Sequence, residues 1–478
     1  MVKRGLCINM KNHSITVIIP VHNQLSNLKF CIELLRKSLE KKYLWKRKII
    51  VVNIDSNDGA IEWLNSQNDI FSINIDGKIS LSKAYNLALE YTDSEMVLFL
   101  NSDVYITSNT IEILERYLYS KVNVAAVNPI TNNTIRWGAD LLSCEKTFPE
   151  IYSYNDIVKI ADRLLREKPL AIGWKSNYLY GFCMLAKVDA INKINNFDES
   201  FYANLMHDFA LSVNLIKSGY ELLVVPNVFV YNDCQWAYSD YGYDIYNAAC
   251  QMDSLFKEKF GFYFLYSTSI RKELLNYVNY KKSELAILDV GCAAGSNFTY
   301  IKAKNNSAIL CGIELCESSA NIAKKFADVR NENLEKMDIS EWEGKFDYII
   351  MGDIIEHLID PWSALLKMKK LLKYNGEILA SIPNIMNADT IFHILNGNFT
   401  YSSAGVLDRT HMRFFTKNEI EKLFNSCGFN AEFIGTNSIS VDDPKVNEFA
   451  NEILKLNTIN IDVKDFYTLQ YLVKAKIR

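Results

Sequence analysis

Residues 286–314, AILDVGCAAGSNFTYIKAKNNSAILCGIE, decide how this chain is read. Ala286-Ile-Leu-Asp-Val290 is a short apolar run with β-branched residues that ends at a glycine, the pattern of a buried strand. Gly291 and Gly295 bracket a turn, and Ser296 with Asn297 supplies N-cap chemistry for a helix expected from near Phe298. A second apolar strand over residues 308–313 ends in Glu314. Strand, glycine turn, helix, strand and acid form a βαβ unit suited to an adenosine-containing ligand. The glycines let the backbone approach the ligand, and the acid can take the ribose hydroxyls.

The spacing Gly291-x-x-x-Gly295 is not the G-x-G-x-x-G that seats a pyrophosphate on a helix N-terminus. Asp289, two residues before the first glycine, would repel a phosphate and suits a ligand bearing an ammonium group. S-adenosylmethionine is such a ligand. The stretch resembles motif I of class I methyltransferases, with Ala293 where many members have a middle glycine. Lys345-Phe-Asp-Tyr-Ile-Ile-Met-Gly-Asp353, Ile354-Ile-Glu-His-Leu-Ile-Asp-Pro361 and the strand 377–382 closing on Pro383-Asn384 extend the resemblance over about residues 265–478. It implies that Asp289, Gly291 and Gly295 contact the methionine part, Glu314 the ribose and Asp338 the adenine amine, with Asp353 at the same cofactor edge. Methyl transfer to oxygen needs a base near the sulfonium and an in-line approach. His357 and His411, on loops at that edge, are the catalytic candidates, with Glu356 and Asp408 as orienting carboxylates.

Toward the N-terminus the alternation repeats. Residues 14–19 read as a strand closed by Pro20, followed by strands at 48–54, near Ile73 and at 96–100, with amphipathic helices between them. Such alternation gives a mostly parallel sheet with ligands bound beyond the strands' C-terminal ends. Polar residues collect there, in Pro20-Val-His-Asn23, Val52-Asn-Ile-Asp-Ser-Asn-Asp-Gly59 and Leu100-Asn-Ser-Asp103. With Lys83-Ala-Tyr-Asn86, Gly181-Phe-Cys-Met-Leu185, Asn196-Phe-Asp-Glu199 and His207-Asp208, they resemble family-2 glycosyltransferases of the nucleotide-sugar-binding (GT-A) fold, over about residues 14–235. The resemblance implies that Pro20, Asn23, Asn53, Asp58, Asn86, Ser102 and Asp103 line the donor site. It makes Asp103 the ligand of a divalent metal, magnesium or manganese, and Asp208 the base on the acceptor hydroxyl. The chemistry asks for both, because a leaving diphosphate needs its charge neutralised and the attacking hydroxyl must lose a proton. The chain departs from the family at Asn53 and Asn101, where acids are usual. It also has His207 for a glutamate, and Tyr231-Asn232-Asp233 where a late histidine often stands.

At 478 residues the chain exceeds one ordinary core. The expected class is α/β with two doubly wound domains, an N-terminal GT-A fold over 1–235 and a C-terminal Rossmann-like methyltransferase fold over 281–478. Residues 236–280 read as a helical aromatic junction. Residues 131–180, with Arg136, Trp137 and a helix over 157–166, read as an acceptor-side insertion. A net charge of −4 without a basic stripe argues against a nucleic-acid partner. Ten cysteines with no C-x-x-C fit a reducing compartment without structural zinc. No apolar run reaches the length of a membrane span, and the opening MVKRGLCINMKNHS lacks the apolar core of a secretory signal. A cytoplasmic protein is expected, with the lysines of 41–48 able to attach it to the inner face of a membrane. The resulting expectation is a bifunctional enzyme of bacterial surface-glycan synthesis: an inverting glycosyltransferase with a nucleotide-sugar donor and a glycan or lipid-linked glycan acceptor, joined to a sugar O-methyltransferase. Two alternatives stand beside it, a methyltransferase carrying a non-catalytic glycan-binding domain, and a methyltransferase of quinone or amino-group substrates.

Overall fold

The computed structural model describes residues 13–40, 42–43, 46–132, 151, 153–169, 171–202, 206–233, 245–438, 443–456 and 462–478. Arg136, Trp137 and the aromatic residues of 236–244 lie outside them. The chain divides into two compact units, Met1–Ser269 and Ile270–Arg478.

Among its described residues the first unit has nine strands: β1 Ile15–Val21, β2 Arg47–Ile54, β3 Ile70–Ile75, β4 Met96–Leu100, β5 Val104–Tyr105, β6 Val124–Thr131, β7 Trp174–Ser176, β8 Cys183–Lys187 and β9 Glu221–Asn232. Their order is β3-β2-β1-β4-β8-β6-β9-β5, with β7 also on β9. Every residue of β1 and β4 is buried, as expected of apolar strands covered on both faces. β1 runs one residue past Pro20, where a strand end was expected. Its pairing with β4 stops at Ile18, so the missing amide of Pro20 removes no bond on that side.

The sheet is mixed rather than mostly parallel. β1 to β4 are parallel, but β8 runs antiparallel to both β4 and β6. That reversal has a functional consequence. It sets Cys183 opposite Leu100 and lets the Asn101 amide donate to the Phe182 carbonyl (2.9 Å), so the glycine loop before β8 lies beside the end of β4.

Among its described residues the second unit has seven strands: β10 Ala286–Val290, β11 Ile309–Ile313, β12 Asp328–Arg330, β13 Phe346–Gly352, β14 Leu372–Pro383, β15 Phe429–Ser438 and β16 Thr468–Ile477. They run β12-β11-β10-β13-β14-β16-β15. β10 to β14 are parallel, and the C-terminal β16 is inserted antiparallel between β14 and β15 rather than added at an edge. The two units are thus α/β folds of the classes expected.

The division falls within the stretch 236–280. Helices Ile245–Phe260 and Phe264–Ser267 belong to the first unit, where Phe264 stacks on Phe209 (3.9 Å between centroids) and Lys259 bridges Asp198 (2.6 Å). Helix Lys272–Leu275 belongs to the second. The helix expected over 157–166 spans Tyr154–Glu167. No helix among the described residues is long and apolar enough to cross a membrane.

Candidate active sites

In the first unit, the loops after β1 and β2 are laced together by two of the residues expected to bind the donor. Asn23, at φ 48°, donates its amide to Ser56 Oγ (3.0 Å), and its Oδ1 accepts from the Asn57 amide (2.8 Å). Asp58 accepts from the amides of Leu25 (2.7 Å) and Ala60 (3.2 Å), tying the start of helix Leu25–Leu39 to its own turn. Pro20 is buried within β1. Asn53 is 1% exposed and donates to Asn74 Oδ1 (3.2 Å), while its own Oδ1 has no partner among the described residues. Asn86 is a strut. Its Nδ2 donates to the Phe197 carbonyl (2.9 Å) and Glu199 (3.0 Å), and its Oδ1 accepts from the Phe197 amide (3.0 Å), which explains why the two motifs occur together.

Ser102 and Asp103 are fully buried at the end of β4, and Ser102 Oγ donates to Gln24 (2.9 Å). The short β5 pairs with the end of β9, Val104 with Asn232 and Tyr105 with Tyr231, and the Asp233 amide donates to the Asp103 carbonyl (3.1 Å). An acid therefore stands next to Asp103 where the late histidine was missing. Asp208 is the second residue of helix His207–Lys217 and 3% exposed, with Oδ2 accepting from the Gly181 amide (2.9 Å) and Oδ1 from the Phe209 amide (3.0 Å). Tyr85 is fully buried in the same unit. Burial pushes its phenol up, and the charges of Asp208 and then Asp103 add to the shift. Its hydroxyl is buried with no partner among the described residues. Sequence reasoning passed over Tyr85, which sits inside a motif it had already quoted.

In the second unit the turn after β10 holds Gly291 at φ 70°, Ala293 at φ 47° and Gly295 at φ 84°. A Cβ at Gly291 would lie 2.3 Å from Ile354 Cδ1, so a larger residue would have to displace that side chain as well as adopt a positive φ. The following helix, Ser296–Lys304, starts two residues earlier than expected, with Gly295 rather than a side chain at its cap. Asn297 is turned inward instead: its Nδ2 donates to Asp289 (3.0 Å) and its Oδ1 accepts from the Arg271 amide (2.9 Å).

Asp289 is 2% exposed and its pKa is pushed up to about 7, by burial first and then by the charge of Glu314, against the Asn297 bond and Arg271. Burial raises Glu314 as well; its two oxygens accept from the amides of Ala293 (2.8 Å) and Cys316 (2.7 Å). Asp338 is exposed, and the Ser340 amide and hydroxyl hold its carboxyl below the usual range. Asp353, expected to face the cofactor, is already engaged. It pairs with Arg271 and accepts from Ser381 Oγ (2.7 Å) and Gln470 Nε2 (2.9 Å). Arg271 carried no signal in the sequence, being one cation in a stretch read as a junction.

His357 and His411 are brought together, with ring centroids 4.8 Å apart. Each Nδ1 meets a backbone carbonyl, that of Thr410 for His357 (3.1 Å) and that of Val406 for His411 (2.9 Å). The orienting groups are therefore carbonyls and not the expected carboxylates. Asp408 instead accepts from the Thr410 amide (2.8 Å) and hydroxyl (2.6 Å), and both oxygens of Glu356 are buried without a hydrogen-bond partner among the described residues.

Comparison with known proteins agrees with this division. Residues 16–194 match the model of glycosyl transferase family 2, and residues 263–432 match a methyltransferase domain. A ubiquinone biosynthesis O-methyltransferase of Coxiella burnetii is 29% identical over 123 residues, 23% of this chain and 52% of that protein. An uncharacterized methyltransferase of Schizosaccharomyces pombe is 26% identical over 189 residues, 34% of this chain and 60% of that protein. The chain spans about half the length of the first of these curated relatives. Among solved structures, a mannosyltransferase of Pyrobaculum calidifontis in complex with GDP-Man and Mn2+ is 17% identical, with TM-score 0.36 over 48% of this chain and 59% of that one. A SAM-dependent methyltransferase of Archaeoglobus fulgidus is 20% identical, with TM-score 0.32 over 46% of this chain and 98% of that one.

Proposed function

We propose that this chain, a family-2 glycosyltransferase domain joined to a methyltransferase domain, extends a glycan with a sugar from a nucleotide-sugar donor and then methylates a hydroxyl of the product. The observation that supports this reading is that each unit carries acids or histidines of the type its chemistry needs on the strands, loops and helix starts around its sheet. These are Asp103, Asp208 and Asp233 in the first unit, and Asp289, Glu314, His357 and His411 in the second. In the first, Asp208 takes the acceptor proton as the hydroxyl attacks, and a single displacement inverts the anomeric carbon. Asp103, whose carbonyl takes the Asp233 amide, would hold a divalent magnesium or manganese ion, whose remaining ligands the diphosphate and water would supply.

In the second unit the donor is S-adenosylmethionine, which supplies a methyl group on a cationic sulfur. Its fit is supported by the positive-φ turn at Gly291 and by Asp289 and Glu314, two acids whose carboxyls burial pushes up. His357 and His411 activate the acceptor hydroxyl. The acceptor oxygen would gain the methyl as the carbon–sulfur bond breaks with its electron pair kept by sulfur, and the hydroxyl proton would pass to water. A bacterial surface glycan, lipid-linked and assembled at the cytoplasmic face, is the setting that fits such a pair. The curated relatives favour a second reading, transfer to a phenolic hydroxyl of a quinone precursor.

Four incubations with methyl-labelled S-adenosylmethionine separate these readings: nucleotide sugar alone, acceptor glycan alone, both, and a catechol in their place. Label should enter glycan only when both are present. Methylated nucleotide sugar forming without acceptor would reverse the order, and label entering only an added catechol would install the second reading.

The cofactor should also bind in a pH-dependent way. Holding its ammonium requires ionised Asp289, whose carboxyl is pushed up to about 7. Affinity should therefore be level above that pH and weaken below it, by up to about tenfold per pH unit, because binding must first remove a proton. Calorimetric titration between about pH 5.5 and 8.5 checks this. A flat profile would mean that Asp289 is not the ammonium partner.

A further inference from the structure

We propose that Glu356, His357 and His411 form a binding site for one divalent transition-metal ion beside the methyltransferase cofactor turn. Among the described residues they are the only group of three or more histidine, cysteine or acidic side chains with ligand atoms in mutual reach, all within 4.8 Å. Bonds of about 2.0–2.2 Å would draw them somewhat closer.

The state of each side chain points to an ion. A carbonyl oxygen only accepts, so the bonds from His357 to Thr410 and from His411 to Val406 place the proton on Nδ1 in both rings. Nε2 is then the lone-pair nitrogen in each, and the carbonyls fix ring orientation as the outer partners of metal-bound imidazoles do. Glu356 is 1% exposed, and neither carboxylate oxygen has a hydrogen-bond partner among the described residues. A buried carboxylate without partners is costly, and a cation between it and the two imidazoles offsets that cost.

The frame is also set in advance. The Glu356 carbonyl accepts from the amides of Met412 (2.8 Å) and Arg413 (3.0 Å), which locks the turn Ile355–His357 to the loop bearing His411. Ile354, two residues before Glu356, is the side chain that fills the space over Gly291.

Two imidazoles and one carboxylate suit zinc, cobalt, iron or manganese better than magnesium, and leave positions open on the ion. The chemical consequence rests on reading this edge as the methyl-acceptor site. The acceptor hydroxyl fills an open position and loses its proton to water more easily there, and the ion itself is unchanged by the methyl transfer.

The test uses the full chain, stripped of metal and titrated with Co2+, read by visible absorption and calorimetry. Ligand-field bands should rise and saturate as one equivalent fills this site. Binding should weaken by at least about tenfold in Glu356→Gln and in His411→Ala, as expected when one of three ligands is lost. Asp103→Asn should leave the bands in place, which separates this site from any ion in the first unit. Should Glu356→Gln fail to fold, His411→Ala on its loop decides. Absence of Co2+ binding, or equal binding by His411→Ala and wild type, overturns the site. If that happens while label still enters glycan, the acceptor reading stands without the ion. Label failing to enter glycan in a protein that binds Co2+ through these residues leaves the ion and removes that reading. Methyl transfer that persists in chelator overturns the role given to the ion in activating the hydroxyl.

Discussion

Asp208→Asn is expected to lower glycosyl transfer by about two to four orders of magnitude, the range over which a positioned general base acts. The cofactor affinity of the second unit should not move. Both oxygens of Asp208 accept backbone hydrogen bonds, from Gly181 (2.9 Å) and Phe209 (3.0 Å), so they are held in place at the start of a helix. An amide in their place cannot take a proton. It also turns its NH2 toward one of the two amides, at a cost of about 1–3 kcal/mol for the unpaired group. The variant should therefore melt at a lower temperature while remaining folded. Thermal unfolding and binding of a donor found by screening nucleotide sugars would separate loss of the base from loss of structure. Wild-type transfer rates in this variant would remove Asp208 from the reaction.

The second large effect belongs to Glu314→Ala, which should weaken S-adenosylmethionine binding by about 10- to 100-fold, or about 1.4–2.8 kcal/mol. Two losses combine. The carboxylate no longer meets the ribose hydroxyls, and the Ala293 amide loses its acceptor in a turn held at φ 47°. Glu314→Gln keeps an acceptor oxygen and should fall between the variant and the wild type. Glycosyl transfer should persist in both. A calorimetric titration giving wild-type affinity for Glu314→Ala would show that the end of β11 does not face the cofactor.

Much of the second unit was legible residue by residue. The strand at 286–290 occurs where its apolar run put it, and the glycine turn between strand and helix follows from spacing alone. The first unit was legible in its four leading strands and less so beyond them. The reversed β8 looks like any other apolar strand, because a strand's direction relative to its neighbours leaves no mark on its own residues. Asn86 and Asp58 were read as ligand contacts because of the motifs they sit in. The structure uses both to hold backbone segments together.

The amino-acid sequence by itself determined the two α/β units, the glycine turn and the acids at the strand ends. These are properties of short stretches, governed by local backbone freedom and by the periodicity of apolar side chains. Only the tertiary structure decided which of those groups work together. It drew Arg271 to Asn297, 26 residues away, and to Ser381, 110 residues away, and it paired Arg271 with Asp353. It also carried the loop of His411 back to Glu356 and His357. Such pairings depend on strand order and register, which bring side chains far apart in the chain to one sheet edge.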